Sequence, residues 1–190
     1  MTTVFPPTQA YWRDSSERYG IVTRVLHWLM AALLLWQFVG MGLRLLLGRD
    51  SIASFFVGLH QPVGTVLFLL ILVRLIWARS NRQNRPDHGN GFIATAARLG
   101  HGAMYVLMLV VPSLALLRAW GGERVFAPFG FEIFPAREVE IAWTGKLAGL
   151  LHGELAWVMA VLILGHVGMV IVHERMWRDD TLSRMAGRRG

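Results

Sequence analysis

The chain has 190 residues, of which 54% are hydrophobic and 16% are charged, and its formal net charge is +7. Soluble domains carry about a quarter charged residues, so this composition disfavours a soluble domain. The chain has no cysteine, which excludes disulfides, thiolate-bound zinc, iron–sulfur clusters and haem attached covalently through cysteine. The basic residues lie between apolar blocks rather than together on one face, so we expect no nucleic-acid partner.

Four long apolar blocks follow one another along the chain. Each is about as long as the ~20 residues that a helix needs to cross the hydrocarbon core of a lipid bilayer. Their few polar residues do not form the polar stripe that each helix of a soluble bundle would turn to water. We therefore predict an all-α integral membrane protein, a bundle of four transmembrane helices in a single domain over residues 1–190. The predicted spans are residues 25–47, 52–77, 99–117 and 147–172.

The basic residues predict how the spans are oriented. With these spans, thirteen of the 19 lysine and arginine residues share the side of the two termini. The positive-inside rule then places both termini in the cytoplasm. The polar stretch before the first span does not have the pattern of a secretory signal.

The three connections between the spans differ in kind. Residues 48–51 are few enough to predict a tight outer turn, so the first two spans should be antiparallel neighbours. Residues 78–98 are polar and predict a solvated inner loop. Residues 118–146 mix aromatic residues with Pro128 and Pro135, which indicates a partly ordered outer cap at the membrane interface.

Histidines within the spans occur at two matched depths. His152 and His166 are 14 residues apart in the last span. That separation is about 21 Å along a helix axis and nearly four turns, so both side chains project from one face. His27 begins the first span on the inner side, level with His166, and His60 begins the second on the outer side, level with His152. Ionisable residues at membrane depth mark a functional site or a partnered polar group.

Two such pairs match the axial ligands of two b-type haems stacked across the membrane. We expect His27 and His166 to bind the inner haem, and His60 and His152 to bind the outer haem. Glycines beside these histidines leave room for a flat macrocycle, although close helix packing explains the glycine pair of the last span without any haem. A divalent-metal transporter that uses the histidine pairs is the alternative from a different class.

Three further basic side chains lie near the inner ends of the spans. His101 begins the third span, and His173 lies two turns after His166. Both rank below His166 as iron ligands, and their other roles are contact with a haem propionate, proton delivery at a quinone pocket, or solvation at the interface. Arg24 lies one turn before His27 and either pairs with a haem propionate or only enforces the topology.

Short motifs around the histidines carry a family resemblance. They are RVLHWL around His27, LH at His60, LGH at His101, LLHGELA at His152, GH at His166 and HERMWRDDTLSRM from His173. Together they resemble the bacterial dihaem cytochrome b561 family, and in particular its superoxide oxidase (superoxide:ubiquinone oxidoreductase) members. The likeness extends from Tyr19 over nearly all of the remaining chain.

The resemblance implies a multi-pass protein of the bacterial inner membrane with two non-covalent haems b, held by the same two histidine pairs. It implies that superoxide is oxidised to oxygen on the periplasmic side and that ubiquinone is the electron acceptor. Basic residues of the outer cap are the candidates for attracting superoxide. They are Arg118, Arg124, Arg137 and Lys146. The family also includes electron carriers, so the alternative is a haem b membrane subunit that passes electrons from a partner dehydrogenase or hydrogenase to quinone.

Overall fold

The computed structural model describes residues 12–86, 90–179 and 181–187. The described residues form α1 (Ile21–Leu47), α2 (Ser51–Ser80), α3 (Phe92–Gly121), α4 (Ala142–Val172) and α5 (Thr181–Ala186). A 3₁₀ turn (Arg82–Asn84) follows α2, and a π-helical turn (His173–Trp177) follows α4. Within the described ranges, the only β pairing is one bridge between Phe126 and Phe134. The predicted all-α class is confirmed.

The four long helices, α1 to α4, have the length and composition of transmembrane helices. The mean hydropathy of the most apolar stretch in each runs from 1.7 to 2.4. Large apolar side chains cover their outer faces: Leu46 is 83% exposed, Ile76 73% and Leu164 70%. Apolar surface of this extent is unfavourable in water and suits contact with lipid. Four membrane-spanning helices are therefore confirmed.

The helices extend beyond the predicted spans. α3 begins at Phe92 and α4 at Ala142, in stretches predicted as loop and cap. A helix needs a continuous apolar run only where lipid surrounds it, so its ends can continue into sequence of mixed polarity, here residues 92–98 and 142–146. The prediction of an inner loop over all of residues 78–98 is therefore wrong. Arg188 and Arg189, which contribute to the charge asymmetry, lie outside the described residues.

The tight turn between α1 and α2 is confirmed. Gly48 has a φ of 65°, a left-handed conformation that favours glycine, and it ends α1. The side chain of Asp50 accepts a hydrogen bond from the backbone N–H of Ile52 (2.9 Å) and caps α2. Local sequence therefore determines this hairpin.

The four long helices pack as two hairpins. α1 packs along α2, α3 packs along α4, and α2 joins the two hairpins through α3. At one α3–α4 contact the backbones approach so closely that a Cβ on Gly121 would overlap the hydroxyl of Thr144. Among the described residues, the backbone of α4 does not pack closely along α1 or α2. Space therefore remains between α4 and the first hairpin.

The bundle has two ends, which we name by what covers them. The cap end carries the turn at residues 48–50 and residues 122–141, which we call the cap segment. In the cap segment, Phe126 and Phe134 share a backbone hydrogen bond (2.9 Å) and stack their rings at 5.6 Å between centroids. The backbone N–H of Ile141 donates to the carbonyl of Gly121 (2.9 Å), which closes the segment against α3. The predicted cap is present but shorter than residues 118–146, because α3 continues to Gly121 and α4 begins at Ala142. Its position at a membrane interface stays a prediction.

The terminal end carries the described parts of both terminal segments, and a buried carboxylate organises it. Asp14, 5% exposed, accepts hydrogen bonds from the backbone N–H of Gly20 (2.9 Å) and the hydroxyl of Thr23 (2.6 Å). Its other oxygen pairs with Nε of Arg85 (3.1 Å). Burial raises the pKa of the nearby Tyr19 hydroxyl above its usual value. The N-terminal segment, α1 and the α2–α3 connection are thus held together.

Candidate functional site

The terminal end contains the first predicted histidine pair. His27 projects from the first turns of α1 and His166 from the last turns of α4. Their ring centroids are 6.3 Å apart, with 70° between the ring planes. Both side chains are partly buried and face the space between the two helices.

The cap end contains the second pair with nearly the same geometry. His60 lies on α2 and His152 on α4. Their ring centroids are 6.2 Å apart, with 74° between the ring planes. One helix, α4, thus contributes one histidine to each pair, at opposite ends of the bundle.

The spacing of the rings has a chemical meaning. A bond between a metal ion and an imidazole nitrogen is about 2 Å long, so two imidazoles on opposite sides of one ion have centroids about 6 Å apart. Direct hydrogen bonding between two imidazoles would bring their rings closer than this. Both pairs therefore have the separation that a shared axial metal requires.

Hydrogen bonds orient the cap-end pair. Nδ1 of His152 lies 2.9 Å from the backbone carbonyl of Val111. Because a carbonyl can only accept, Nδ1 carries the proton and Nε2 is left with the lone pair that binds a metal. The side-chain amide of Gln37 donates to the backbone carbonyl of His60 (2.9 Å) and joins α1 to the ligand-bearing turn of α2.

A cavity of about 1150 Å³ surrounds the cap-end pair. It extends from Met30 and Met159, in the middle of the bundle, to the cap segment. Gly149 and Gly153 line it, and a Cβ at either position would meet no atom within 4 Å. Close helix packing therefore does not account for this glycine pair, and the open space beside His152 suits a large flat ligand.

The chain is similar to a known protein family over most of its length. Residues 18–188 match the family described as prokaryotic cytochrome b561. The chain is also 29% identical to "Cytochrome b561 homolog 2" of Escherichia coli (strain K12) over 181 residues, which cover 92% of this chain and 94% of that protein. The chain belongs to the prokaryotic cytochrome b561 family. It is therefore a haem b membrane protein of electron transfer, and a multi-pass bacterial membrane protein.

The residues of this cytochrome b561 fit the haem b that the family implies. The protein offers imidazole nitrogens in facing pairs at the spacing of a shared iron, with unfilled space beside glycines on α4. Within the described ranges, no cluster of three or more histidine, aspartate or glutamate side chains could hold a metal ion. Membership of this family favours haem over the transporter alternative.

The cytochrome b561 fold separates the four candidate residues for superoxide attraction into two groups. Arg118 and Arg124 line the cavity that contains His60 and His152. Arg137 instead stacks on Trp120, with Cζ 4.5 Å from the ring centroid, and its Nε donates to the Trp120 carbonyl (2.7 Å). Lys146 is exposed in the first turns of α4 and does not line the cavity. The acidic residues Glu123 and Glu140 also line the cavity and dilute its positive charge.

The rival histidines have different surroundings. The ring of His101 lies 5.2 Å from that of His166, between centroids, so a third imidazole adjoins the terminal-end pair. Nδ1 of His173 lies 2.5 Å from Oδ2 of Asp179, which directs this ring toward the C-terminal segment. Partial burial opposes ionisation of Asp179, but hydrogen bonds from Thr181 and His173 outweigh it and hold the pKa of Asp179 below its usual value.

Arg24 lies under the C-terminal segment. Its Nη2 donates to the carbonyl of Ala186 (3.5 Å), and a Cβ on Gly187 would overlap the guanidinium. Its Nε is buried without a partner among the described residues. The Arg24 guanidinium therefore links α1 to the C-terminal segment. Its contact with a haem propionate stays a prediction.

Arg74 is the site residue whose role sequence reasoning missed. Its guanidinium extends from α2 between Tyr105 and His27, whereas in the sequence Arg74 was only one of the thirteen basic residues counted on the side of the termini. The signal was present, because a charged residue inside an apolar span usually has a functional partner. Its partners could be known only after the helices were packed.

Proposed function

We propose that this cytochrome b561 holds two haems b and transfers electrons across the bacterial inner membrane. The two histidine pairs, 6.3 and 6.2 Å between centroids at opposite ends of α4, carry the proposal. His27 and His166 would hold the terminal-end haem, and His60 and His152 the cap-end haem. A haem b held by each pair would supply a one-electron carrier, and two histidine ligands for each iron would favour electron transfer over oxygen binding.

The chain itself sets the electron path. Because His152 and His166 lie on one helix, their 14-residue separation fixes the two sites about 21 Å apart along the helix axis. Val111 holds His152 in the tautomer that leaves Nε2 to the metal. Large apolar side chains on the outer faces of the four long helices would contact lipid around both pairs. Two carriers at two depths divide the insulating layer into shorter transfers.

The cap end is proposed to face the periplasm and the terminal end the cytoplasm. Both described terminal segments lie at the terminal end, where Trp28 Nε1 donates to the carbonyl of Met185 (3.3 Å). The excess of arginine at this end follows the positive-inside rule. The cavity would then open toward the periplasm.

Superoxide is the proposed electron donor at the cap end. Arg118 and Arg124 line the cavity that leads to the cap-end pair, and cations there would concentrate a small anion. Two superoxide ions give two electrons and leave as two oxygen molecules. One ubiquinone takes those electrons and two protons and leaves as ubiquinol. His101, beside the terminal-end pair, is the candidate contact for ubiquinone or a haem propionate.

The proposal is tested with purified protein that carries haem. We expect two haems b per chain and rapid haem reduction by an enzymatic source of superoxide. Arg118→Gln with Arg124→Gln should slow that reduction several-fold and weaken its dependence on salt. Arg137→Gln with Lys146→Gln removes the same charge away from the cavity and should slow it less.

Two results would overturn parts of this proposal. Haem that stays oxidised while superoxide decays at its background rate excludes superoxide as the donor. The alternative, a subunit that receives electrons from a partner dehydrogenase or hydrogenase, would then be tested by co-purification of that partner. One haem per chain would overturn the two-site assignment itself.

A further inference from the structure

A cation lies inside the bundle beside the terminal-end pair. Nη2 of Arg74 is 3.4 Å from Nδ1 of His27, a close contact that is long for a hydrogen bond. Nε of Arg74 donates to the hydroxyl of Tyr105 (3.0 Å), and Cζ lies 5.5 Å from the centroid of that ring. The guanidinium of the half-buried Arg74 therefore faces α1 and α3.

The positive charge of Arg74 has no acidic counterpart in the described part of the chain. The ion pairs there join Arg85 to Asp14 and His173 to Asp179, and neither includes Arg74. Its contacts with His27 and Tyr105 are to neutral groups. A charge held at membrane depth is costly and by default marks a functional group.

The cap-end pair has a different environment. The hydrogen bonds described for it involve neutral groups: the amide of Gln37 donates to the backbone carbonyl of His60, and the carbonyl of Val111 accepts from the ring of His152. Arg118 and Arg124 lie farther out, exposed on the cavity lining together with Glu123 and Glu140. The two pairs thus share one spacing but differ in the charge beside them.

We propose that Arg74 raises the reduction potential of the terminal-end haem above that of the cap-end haem; this rests on the two-haem function proposed above. Gain of one electron lowers the net charge of an iron site by one, and a nearby cation in a medium of low dielectric constant stabilises the reduced form. Electrons that enter at the cap end would then settle at the terminal end. Tyr105 acts as a positioning residue, because its hydroxyl holds the guanidinium against His27.

The test is a redox titration of the purified dihaem protein, followed by absorbance. Arg74→Gln should lower the midpoint potential of the terminal-end haem by at least about 59 mV, a tenfold change in its one-electron equilibrium. The cap-end potential should shift by less. Arg74→Lys keeps the charge and should retain most of the wild-type potential, whereas Tyr105→Phe should give a smaller shift in the direction of Arg74→Gln.

A matched control removes a cation from the same helix. Arg79 is exposed one to two turns farther along α2, so Arg79→Gln should leave both potentials close to wild type. The titration repeated in a His152→Ala background, which should retain only the terminal-end haem, assigns the shifted transition. If Arg74 had only a structural role, Arg74→Gln and Arg74→Lys would change haem content and stability, but their midpoint potentials would not differ from each other.

Three outcomes would overturn the proposal. Unchanged potentials in Arg74→Gln would show that its charge does not act on the haem. Equal shifts in Arg74→Gln and Arg74→Lys would assign the effect to side-chain geometry rather than charge. Loss of the terminal-end haem from both variants would make Arg74 a haem anchor. A wild-type protein with a single haem would instead overturn the two-haem function on which the proposal rests.

Discussion

The two ends of the bundle carry the same pair of rings in different surroundings. At the cap end, His60 and His152 border a cavity of about 1150 Å³ whose lining includes Arg118 and Arg124. At the terminal end, His27 and His166 adjoin two more basic side chains and are covered by a polar network. The two added side chains are His101 and Arg74.

This difference separates what α4 provides from what its neighbours provide. The repeat of histidines on α4 supplies one ring at each depth, and the spacing of each pair is nearly identical. The residues around each histidine pair decide whether a small molecule can reach the pair and which charged groups lie beside it. A comparison of variants at the two ends can therefore test ligand geometry and environment separately.

The largest expected effect is loss of one haem from one end. His152→Ala should remove the cap-end haem and His166→Ala the terminal-end haem, because each deletes an axial ligand. The ratio of haem to protein should fall from two to one in each variant, with different reduced-minus-oxidised spectra. The assignment on α4 would be wrong if His166→Ala kept both haems while His173→Ala lost one.

A smaller effect is expected when the cavity alone is filled. Gly153→Leu places a side chain where a Cβ now meets no atom within 4 Å, in the lining of the cavity. We expect the cap-end haem to be lost in part or whole, with the terminal-end haem retained. Haem content and difference spectra measure this.

The control for this variant is Gly42→Leu. Gly42 lies on α1, and a Cβ there would also meet no atom within 4 Å, but it does not line the cavity. This variant should keep both haems. Equal loss from the two variants would mean that the cavity is not the haem site.

The smallest expected effect concerns how the terminal end is closed. Asp14→Ala leaves Arg85 without its partner and removes the acceptor for Gly20 and Thr23, which should cost about 3 kcal/mol. The apparent melting temperature in detergent, compared at one scan rate, should fall. Glu17→Ala, an exposed carboxylate in the same segment, should change it little. A fall of equal size in both variants would contradict a specific role for Asp14.

Much of the fold follows from local sequence. Each span is recognisable because it is an unbroken run of mostly apolar residues. The turn at Gly48 depends only on the few residues between α1 and α2. The boundaries were less accurate, because α3 and α4 begin in sequence of mixed polarity, residues 92–98 and 142–146, which was assigned to the connections. The two histidine pairs were predictable in depth, since the rise of a helix converts sequence position into height.

Proximity across helices was not predictable in the same way. His101 and His27 begin their spans at similar depth, yet only the packed bundle shows how closely each approaches His166. Arg118 and Arg137 looked equivalent in sequence, but one lines the cavity and the other stacks on Trp120.

The sequence by itself determined four apolar helices, their order, and the depths at which histidines occur. Only the tertiary structure decided which rings face each other, which arginines reach the cavity, and that Arg74 lies against His27. The physical reason is rotation about the helix axis. Helices that are apolar on nearly every face carry little sequence signal for which side faces the bundle, so packing between helices makes that choice.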